Sequence, residues 1–321
     1  MLYQTAKKMQ HNCLYCYESL PEGIDFHEQC SRKIFGIKTA PKITYTLDQM
    51  DELAKRVVER SVSVPGVQAK LSMSLVKSLK QKSDARLTVV DALGGQYIFK
   101  PPSERFRELP ENEHLTMRMA ETYGLRVVPS SLIRLASGER SYITKRVDRT
   151  SSGGKIHMLD MFQITEAYDK YKSSMEKVGK ALDAYSSNPL LDKILLFELT
   201  VFSFLVGNND MHLKNFSMIE SASGWILAPA YDLLNATIIN LDDDEELALS
   251  LCGKRRKLRR EHFDQFGYKL GLNDKQMSAA FNRFSKRKRK SLSWIDRSFL
   301  SEEMKMAYQN LIEKRYKRLA L

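Results

Sequence analysis

The stretch Leu205-Val-Gly-Asn-Asn-Asp-Met-His-Leu-Lys-Asn215 decides the interpretation of the chain, because an apolar helix ends there and a group of polar side chains follows. Asp210 and Asn215 have the spacing Asp-x4-Asn, at which a protein-kinase catalytic loop places its base and a magnesium ligand. A second acid, Asp232, follows a predicted hairpin over residues 216–228. The spacing predicts a phosphoryl-transfer site in which Asn215 and Asp232 hold Mg²⁺ and Asp210 accepts or orients the hydroxyl proton.

The composition is that of an ordinary globular protein with an excess of basic residues. The chain has 321 residues, 43% hydrophobic and 28% charged, which suggests one two-lobed unit or two domains. The formal net charge of +12 favours an anionic partner, such as ATP, a nucleic acid or an acidic protein. The longest apolar run, 194–206, is too short to span a bilayer, and the N-terminus shows no apolar signal core. We therefore expect a cytoplasmic protein.

The first forty residues carry a possible metal-binding pattern. It reads Cys-x2-Cys, a ten-residue gap and His-x2-Cys, formed by Cys13, Cys16, His27 and Cys30. Three thiols and an imidazole can close a tetrahedral zinc site, which would order so short a segment. Reduced thiols in a small packed hairpin explain the pattern equally well. Cys252 has no such neighbours and is predicted to be a buried residue.

The next segment predicts a small sheet with a glycine turn. A helix over 46–58 leads to Ser61-Val-Ser-Val-Pro-Gly-Val-Gln-Ala-Lys70, and alternating Leu71, Met73 and Leu75 then predict a strand. A glycine turn before a strand can place backbone N–H groups over phosphates, although Pro-Gly is also an ordinary turn.

Two further positions complete a kinase-like order of residues. Strands are predicted over 86–91 and 96–100, so that Lys100 ends a strand and can neutralise phosphate charge. In the helix predicted over 111–124, Glu113 can reach a strand lysine as the αC glutamate of kinases does. There are two alternatives to these roles. Lys100 can be an ordinary solvated lysine, and Glu111 or Glu113 can be a charge at a helix start with no further role.

The remaining chain is predicted to be mainly helical. A strand over 141–147 stands at the position of an interlobe hinge, and helices follow over 158–168, 174–186, 189–206 and 297–319, with a strand over 247–252. We predict an α+β, two-lobed protein-kinase-like fold with a mixed α/β N-lobe and a mainly helical C-lobe. The predicted parts are a Cys/His segment 1–40, an N-lobe 41–148 with the Gly-rich loop, and a catalytic C-lobe 149–321.

Charge runs support a rival class of function. The basic runs 253–260 and 285–290 can meet phosphates, so a zinc-containing nucleic-acid-binding regulator is one alternative. Neither run has interleaved aromatics for base stacking, and such runs are often solvated faces. The acidic run 242–246 lacks calcium-ligand spacing. An inactive kinase-fold scaffold is a further alternative, against which intact Asp210, Asn215 and Asp232 argue.

Five motifs resemble the HipA-like serine/threonine kinases of bacterial toxin–antitoxin systems, over roughly residues 55–320. They are Ser-Val-Pro-Gly-Val-Gln-Ala-Lys, Tyr-Ile-Phe-Lys-Pro, Glu-Asn-Glu, Asn-Asn-Asp-Met-His-Leu-Lys-Asn-Phe-Ser and Leu-Ala-Pro-Ala-Tyr-Asp-Leu. The resemblance implies Asp210 and Lys214 as catalytic residues and Asn215 and Asp232 as metal ligands. It implies ATP and Mg²⁺ as cofactors, with structural Zn²⁺ as an additional possibility from the Cys/His pattern. The implied ATP-binding residues are Gly66, Gln68, Lys70, Lys100, Glu113, Lys145, Val147 and His212.

Within this family the chain looks like the shorter HipT branch. The amino-terminal subdomain of HipA is not seen before the glycine turn, and a Ser-x-Ser pair, Ser61 and Ser63, stands there as the expected autophosphorylation site. The branch implies a small antitoxin resembling that subdomain, together with a DNA-binding antitoxin through which DNA is met. The family implies phosphorylation of a serine in a translation protein, with an aminoacyl-tRNA synthetase as the expected substrate and growth arrest as the outcome.

Overall fold

The computed structural model describes residues 11–60, 70–77, 85–90, 94–150 and 152–321. These residues form two compact units, which we describe separately. The first unit comprises Met1–Pro102 and Pro129–Lys145, and the second Ser103–Val128 and Arg146–Leu321. The three-part division predicted from the sequence stays a prediction. The units differ from it in grouping Ser103–Val128 with the C-terminal residues.

The first unit is a mixed β-sheet with helices beside it. Its helices are α1 (Glu28–Phe35) and α2 (Leu47–Arg60), and its strands are β1 (Lys42–Ile43), β2 (Leu71–Lys77), β3 (Ala85–Val89), β4 (Tyr97–Lys100), β5 (Ser130–Arg134) and β6 (Arg140–Lys145). Among the described residues the strand order is β1-β3-β2-β4-β6-β5. Among the strand pairs that the described residues form in this sheet, β1–β3 alone is parallel. The alternating apolar residues Leu71 and Met73 are buried, as a half-buried strand requires.

The second unit is mainly helical. Its helices are α3 (Leu109–Tyr123), α4 (Met161–Ile164), α5 (Met175–Tyr185), α6 (Pro189–Val206), α7 (Arg260–Lys269), α8 (Asp274–Arg297) and α9 (Glu302–Leu319). The strands β7 (Met158–Asp160), β8 (Ser217–Ser221) and β9 (Gly224–Leu227) form an antiparallel sheet in that order. The β8–β9 pair confirms the hairpin predicted over 216–228.

Helix α6 lies in the core of the second unit. Every residue from Leu196 to Val206 is buried, which confirms the prediction for this part of the helix. Leu190 and Leu191, which were predicted to be buried with them, are exposed. The ring of Phe197 packs against Phe281 edge to face, with 5.5 Å between centroids. Arg315 of α9 donates a hydrogen bond to the Phe204 carbonyl at 2.5 Å. Helix α6 is therefore in contact with both α8 and α9.

Helix α8 is fastened to α3. Trp294 donates its indole N–H to the Thr122 hydroxyl at 2.8 Å, and the Tyr123 and Phe284 rings lie 4.9 Å apart. Trp225, the other tryptophan of the sequence, lies in β9. Both tryptophans therefore belong to the second unit.

Two predictions of secondary structure were wrong. The helix expected over 158–168 is strand β7 followed by the short helix α4, because Asp160 caps α4 and its main chain pairs with Ser217. The strand expected over 247–252 forms only isolated bridges, at Ser250 and Leu251. Leu247, Ala248 and Leu249 are all buried, so apolar side chains here mark a buried irregular segment rather than one face of a strand.

The last predicted helix begins later than expected. Arg297 ends α8, and α9 begins at Glu302, where the Ser301 hydroxyl accepts the N–H of Met304. An N-cap serine is a common signal of a helix start, and it separates the two helices here. None of the helices in the described ranges is long and apolar enough to cross a membrane.

Candidate functional site

The loop of interest begins where α6 ends, at Gly207. This glycine has a left-handed φ of 78°, and its N–H caps α6 by donating to the Ser203 and Phe204 carbonyls. A Cβ at this position would lie 2.4 Å from the Leu311 side chain and 2.5 Å from the Asn235 side-chain oxygen. Both the conformation and the space require glycine, which fixes the direction in which the polar loop leaves the helix.

Asp210 is held by a tyrosine from another part of the second unit. The Tyr171 hydroxyl donates to Asp210 Oδ1 at 2.8 Å. Tyr171 is fixed in turn, since its N–H donates to Asp169 at 2.9 Å and its carbonyl accepts from Arg255. Burial, then the charge of Asp210 and this hydrogen bond, raises the pKa of Tyr171 well above its usual value. The hydroxyl therefore stays protonated and remains a donor to the carboxylate.

His212 lies beside the same tyrosine. Its ring meets Tyr171 edge to face, with 5.1 Å between centroids, and its Nε2 lies 2.9 Å from Lys170 Nζ. Because an ammonium group can only donate, this contact is a hydrogen bond in the tautomer that carries the ring proton on Nδ1. The Lys170 carbonyl also accepts the N–H of Leu213 at 3.1 Å. The turn at 169–171 thus supports the loop at Asp210, His212 and Leu213.

Asn215 and Lys214 lie in a 3₁₀ turn, Leu213–Asn215. Asn215 is buried and Lys214 is exposed, so the two side chains have different surroundings. The Tyr231 hydroxyl donates to the Lys214 carbonyl at 2.9 Å and accepts from the Ser217 hydroxyl at 2.5 Å. Tyr231 directly precedes Asp232, and Lys214 directly precedes Asn215. One hydrogen bond therefore joins the neighbours of both predicted metal ligands.

Asp232 has a left-handed backbone, with φ of 59°. Aspartate and asparagine adopt this region more readily than most residues. The backbone on either side is fixed: Ala230 exchanges hydrogen bonds with Arg126 and Val128, and the Asn112 side chain bonds both the N–H and the carbonyl of Asn235, at 2.7 and 3.0 Å. The conformation of Asp232 is therefore imposed by its scaffold, as is common at functional sites.

Asp160 is a third acid near these residues, and the sequence analysis missed it. Its backbone pairs with Ser217, and its carboxylate accepts the Gln163 N–H at 2.9 Å as a helix cap. Burial raises the pKa of Asp160, against the opposing effects of this cap and the Lys214 charge. Burial also raises the pKa of Tyr231, and the charges of Asp232 and Asp160 add to this effect. Asp160, Lys214 and Asp232 therefore share one electrostatic neighbourhood.

The remaining candidates in the second unit are Glu113 and Val147. Glu111 and Glu113 are both buried in α3, and Glu111 lies in the first turn of this helix, so the choice between an ATP-site role and a helix-start charge stays a prediction. Val147 is half-buried beside Asp148. Burial alone would raise the pKa of Asp148, but the hydrogen bond and charge of Arg146, with the charge of Arg149, lower it overall.

Two of the candidates in the first unit, Lys100 and Lys145, are the last residues of strands in its sheet. Lys100 is 4% exposed, and its Nζ lies 5.4 Å from the centre of the Tyr142 ring on the neighbouring strand. This burial excludes the solvated-lysine alternative. Lys70 and Lys145 are exposed. The other predictions, for Gly66, Gln68, Ser61 and Ser63, lie outside the described residues.

Acids of the run 242–246 form ion pairs with basic residues elsewhere in the second unit. Asp244 forms an ion pair with Arg256 at 2.6 Å, Glu245 with Arg255 at 3.3 Å, and Glu246 with Arg318. Asp243 accepts from the Asn209 side chain at 3.0 Å. The run thus neutralises basic residues and braces the polar loop.

Comparison with known proteins identifies relatives of this chain. A family model described as HipA-like C-terminal domain matches residues 62–292. The chain is 27% identical over 244 residues to a Haemophilus influenzae protein described as a candidate kinase, covering 67% of this chain and 69% of that protein. It is 28% identical over 211 residues to the serine/threonine-protein kinase toxin HipA of Shewanella oneidensis, covering 59% of this chain. The chain spans 46% of that relative's length.

Solved structures show the same fold. The Shewanella oneidensis HipA in complex with HipB and its operator DNA matches with a TM-score of 0.67 and 20% identity, over 94% of this chain and 80% of that one. The Helicobacter pylori proinflammatory kinase CtkA matches with a TM-score of 0.54 and 17% identity, over 78% and 93%. The predicted kinase-like α+β fold is confirmed.

Proposed function

The chain belongs to the family of HipA-like C-terminal domains, and on that premise we propose that it is an ATP-dependent protein serine/threonine kinase of the toxin type. The observation that supports this most is the hydrogen bond from Tyr231 to the Lys214 carbonyl. Because that bond joins the residues preceding Asn215 and Asp232, it gives two oxygen-bearing side chains a common support. A carboxylate and an amide oxygen suit Mg²⁺, which is bound through one or two carboxylates and phosphate oxygens.

Four residues of the loop, together with Tyr171 and Asp232, have proposed roles. Asp210 accepts or orients the proton of the attacking hydroxyl, and the Tyr171 hydroxyl holds the carboxylate in position. Asn215 and Asp232 would hold the metal, which would supply positive charge against the negative charge that develops during phosphoryl transfer. Lys214 lies beside them and is proposed to act on the transferred phosphoryl group. His212 is proposed to support the ATP site through its contact with Tyr171.

The ATP-binding residues proposed outside this loop are Gly66, Gln68, Lys70, Lys100, Glu113, Lys145 and Val147. Lys100 is buried at the end of β4 and is proposed to neutralise phosphate charge. Ser61 and Ser63 are proposed as autophosphorylation sites and as the basis of the HipT assignment.

The proposed substrate is a serine of a translation protein, with an aminoacyl-tRNA synthetase as the first candidate and growth arrest as the outcome. We propose a small antitoxin and a DNA-binding antitoxin as partners. The relative solved with HipB and operator DNA supports this kind of partnership. A cytoplasmic place of action stays a prediction.

The rival nucleic-acid-binding function is less well supported. Several side chains of the two basic runs are engaged within the second unit: Arg255 and Arg256 with acids of the 242–246 run, Arg287 with the Thr122 carbonyl at 2.8 Å, and Lys288 with Glu313 at 2.8 Å. Side chains so engaged must break these contacts before they can meet phosphates.

Tyr171→Phe is expected to lower kcat by about 3–10-fold, because a hydrogen bond contributes about 0.5–1.5 kcal/mol and about 1.4 kcal/mol is tenfold in rate. KM for ATP should stay near the parent value, since the tyrosine orients the base. Tyr168→Phe is the matched control, because Tyr168 is fully exposed three residues away. Steady-state kinetics on both variants measure kcat and KM for ATP and test this expectation. An unchanged kcat in Tyr171→Phe would remove the tyrosine from the mechanism.

Incubation of the purified chain with γ-labelled ATP, Mg²⁺ and bacterial extract tests the function itself. We expect one or a few labelled proteins, identified by mass spectrometry as translation factors, and label on Ser61 or Ser63 of the kinase. An Asp210→Asn sample run in parallel separates intrinsic from contaminating activity. Label equal in both samples would contradict the kinase assignment. If the kinase is active but Ser61 and Ser63 stay unmodified, only the proposed autophosphorylation sites are contradicted.

A further inference from the structure

The N-terminal Cys/His cluster, which consists of Cys13, Cys16, His27 and Cys30, is gathered at one point of the first unit. The four potential ligand atoms lie within 4.8 Å of one another, and Cys16 Sγ lies 3.4 Å from His27 Nδ1. In a tetrahedron with Zn–S bonds of about 2.3 Å and Zn–N bonds of about 2.0 Å, ligand atoms are about 3.5–3.8 Å apart. Closure around an ion therefore requires shifts of about 1 Å or less.

The backbone around the cluster has the local order that such a site needs. Cys13 and Cys16 flank a turn closed by hydrogen bonds from the Tyr17 N–H to the Cys13 carbonyl and from the Cys13 N–H to the Glu18 carbonyl, both 2.9 Å. His27 is the N-cap residue of α1, and Cys30 lies in its first turn. The ligands thus come in two pairs, one from a tight turn and one from a helix start. The Leu14 N–H joins the two arms by donating to the Asp25 carbonyl at 2.9 Å.

The segment that carries the cluster also covers a sheet edge. Strand β5 is the last strand in the order of the sheet. The Leu14 carbonyl accepts the Leu132 N–H at 3.3 Å, and Arg134 donates to Asp25 at 3.0 Å. Each of these contacts starts within two residues of a cluster member. An edge strand exposes unpaired backbone groups, so a cover fixed in this way protects it from pairing with other chains.

We propose that the Cys/His cluster is a structural zinc site that fastens residues 11–36 over the outer edge of the six-stranded sheet. Three thiolates and one imidazole fill all four positions of a tetrahedral ion, so the site is closed and has no position for a substrate. A segment of this length has too small a core to order itself, and zinc supplies the missing cross-link. The site is independent of the proposed kinase chemistry, whose loop lies in the second unit.

Elemental analysis of the full chain, purified under reducing conditions from zinc-supplemented medium, tests the proposal. About one zinc per chain is expected, and Cys16→Ser should reduce it at least tenfold. Cys252→Ser is the matched control, because this thiol lies outside the cluster and should leave the zinc content unchanged. His27→Cys should keep the metal as a four-cysteine site, whereas His27→Ala should lose it. A parent protein with less than one-tenth zinc per chain, with iron in its place or with a disulfide inside the cluster overturns the assignment.

The covering role has its own readout, which does not depend on a folded cysteine variant. Zinc is released from the parent protein with a mercurial reagent, and hydrogen exchange is then measured on peptides that contain β5. We expect exchange at Leu132 to rise at least tenfold, to return after the thiols are regenerated and zinc is added back, and to stay unchanged in β8. Unchanged exchange in β5 after complete release would overturn the covering role. Because ATP hydrolysis and phosphorylation are not measured, failure here leaves the kinase proposal unaffected.

Discussion

Asp210→Asn is expected to lower the rate of phosphoryl transfer by about 10²–10⁴-fold, the range contributed by a positioned general base. The change removes the charge and basicity of the carboxylate but keeps its shape. The Tyr171 hydroxyl can still donate to the amide oxygen at the place where it now meets Oδ1. We therefore expect the folded structure and the affinity for Mg-ATP to stay near those of the parent protein. Single-turnover kinetics with labelled ATP and nucleotide binding measured by calorimetry check both halves of this expectation.

The matched control for this variant is Asp244→Asn. Asp244 forms an exposed ion pair with Arg256, and such pairs contribute about 0–1 kcal/mol to stability. This control removes one carboxylate charge from the same unit without touching the loop at Asp210. Equal activity losses in the two variants would indicate a general effect of charge. A parent rate in Asp210→Asn would end the assignment of Asp210 as base.

Asp232→Asn is expected to lower activity by more than about 100-fold, because even residues that only support metal ligands cost about 10–100-fold when changed. Asparagine adopts the left-handed conformation as aspartate does, so the backbone at φ of 59° can be retained. The charge that attracts the metal is lost while an oxygen remains. Activity should therefore recover partly as the Mg²⁺ concentration is raised.

The dependence on metal concentration separates the two aspartates. Asp232→Asn should shift the Mg²⁺ requirement upward, whereas Asp210→Asn should keep the parent requirement at a much reduced maximum rate. Activity is measured across a Mg²⁺ titration at constant ionic strength, so that screening of charges does not vary. An unshifted requirement in Asp232→Asn would contradict its role as a metal ligand.

The local parts of the candidate site could be predicted from the sequence. Asp210 and Asn215 lie in one loop, as their spacing predicts, and the chemistry assigned to them stays a prediction. The hairpin before Asp232 follows from turn residues between apolar segments. Burial of the C-terminal part of α6, Leu196–Val206, follows from its apolar surface, because a helix that is apolar on nearly all sides has no face for water.

The partners of these residues could not be predicted in the same way. Tyr171 lies 39 positions before Asp210, and no periodicity relates a residue on one turn to a loop beyond two helices. Asp160 did carry a signal, since Asp-x-x-Gln is the pattern of a capping box. Reading that pattern as a helix start would have corrected the helix predicted over 158–168. Tertiary contact decided the other failure, at 247–252, where leucines pack inward from a segment without a regular strand partner.

The location of both tryptophans determines what an optical experiment can detect. Trp225 and Trp294 lie in the second unit, and the indole N–H of Trp294 bonds to Thr122 of α3. Tryptophan fluorescence, excited at the red edge of protein absorption, therefore reports on the second unit. It does not report on the first unit, which contains the Cys/His cluster. A denaturation curve recorded in this way would describe only the second unit. Comparison with far-ultraviolet circular dichroism, which records both units, would reveal whether the two unfold in one transition.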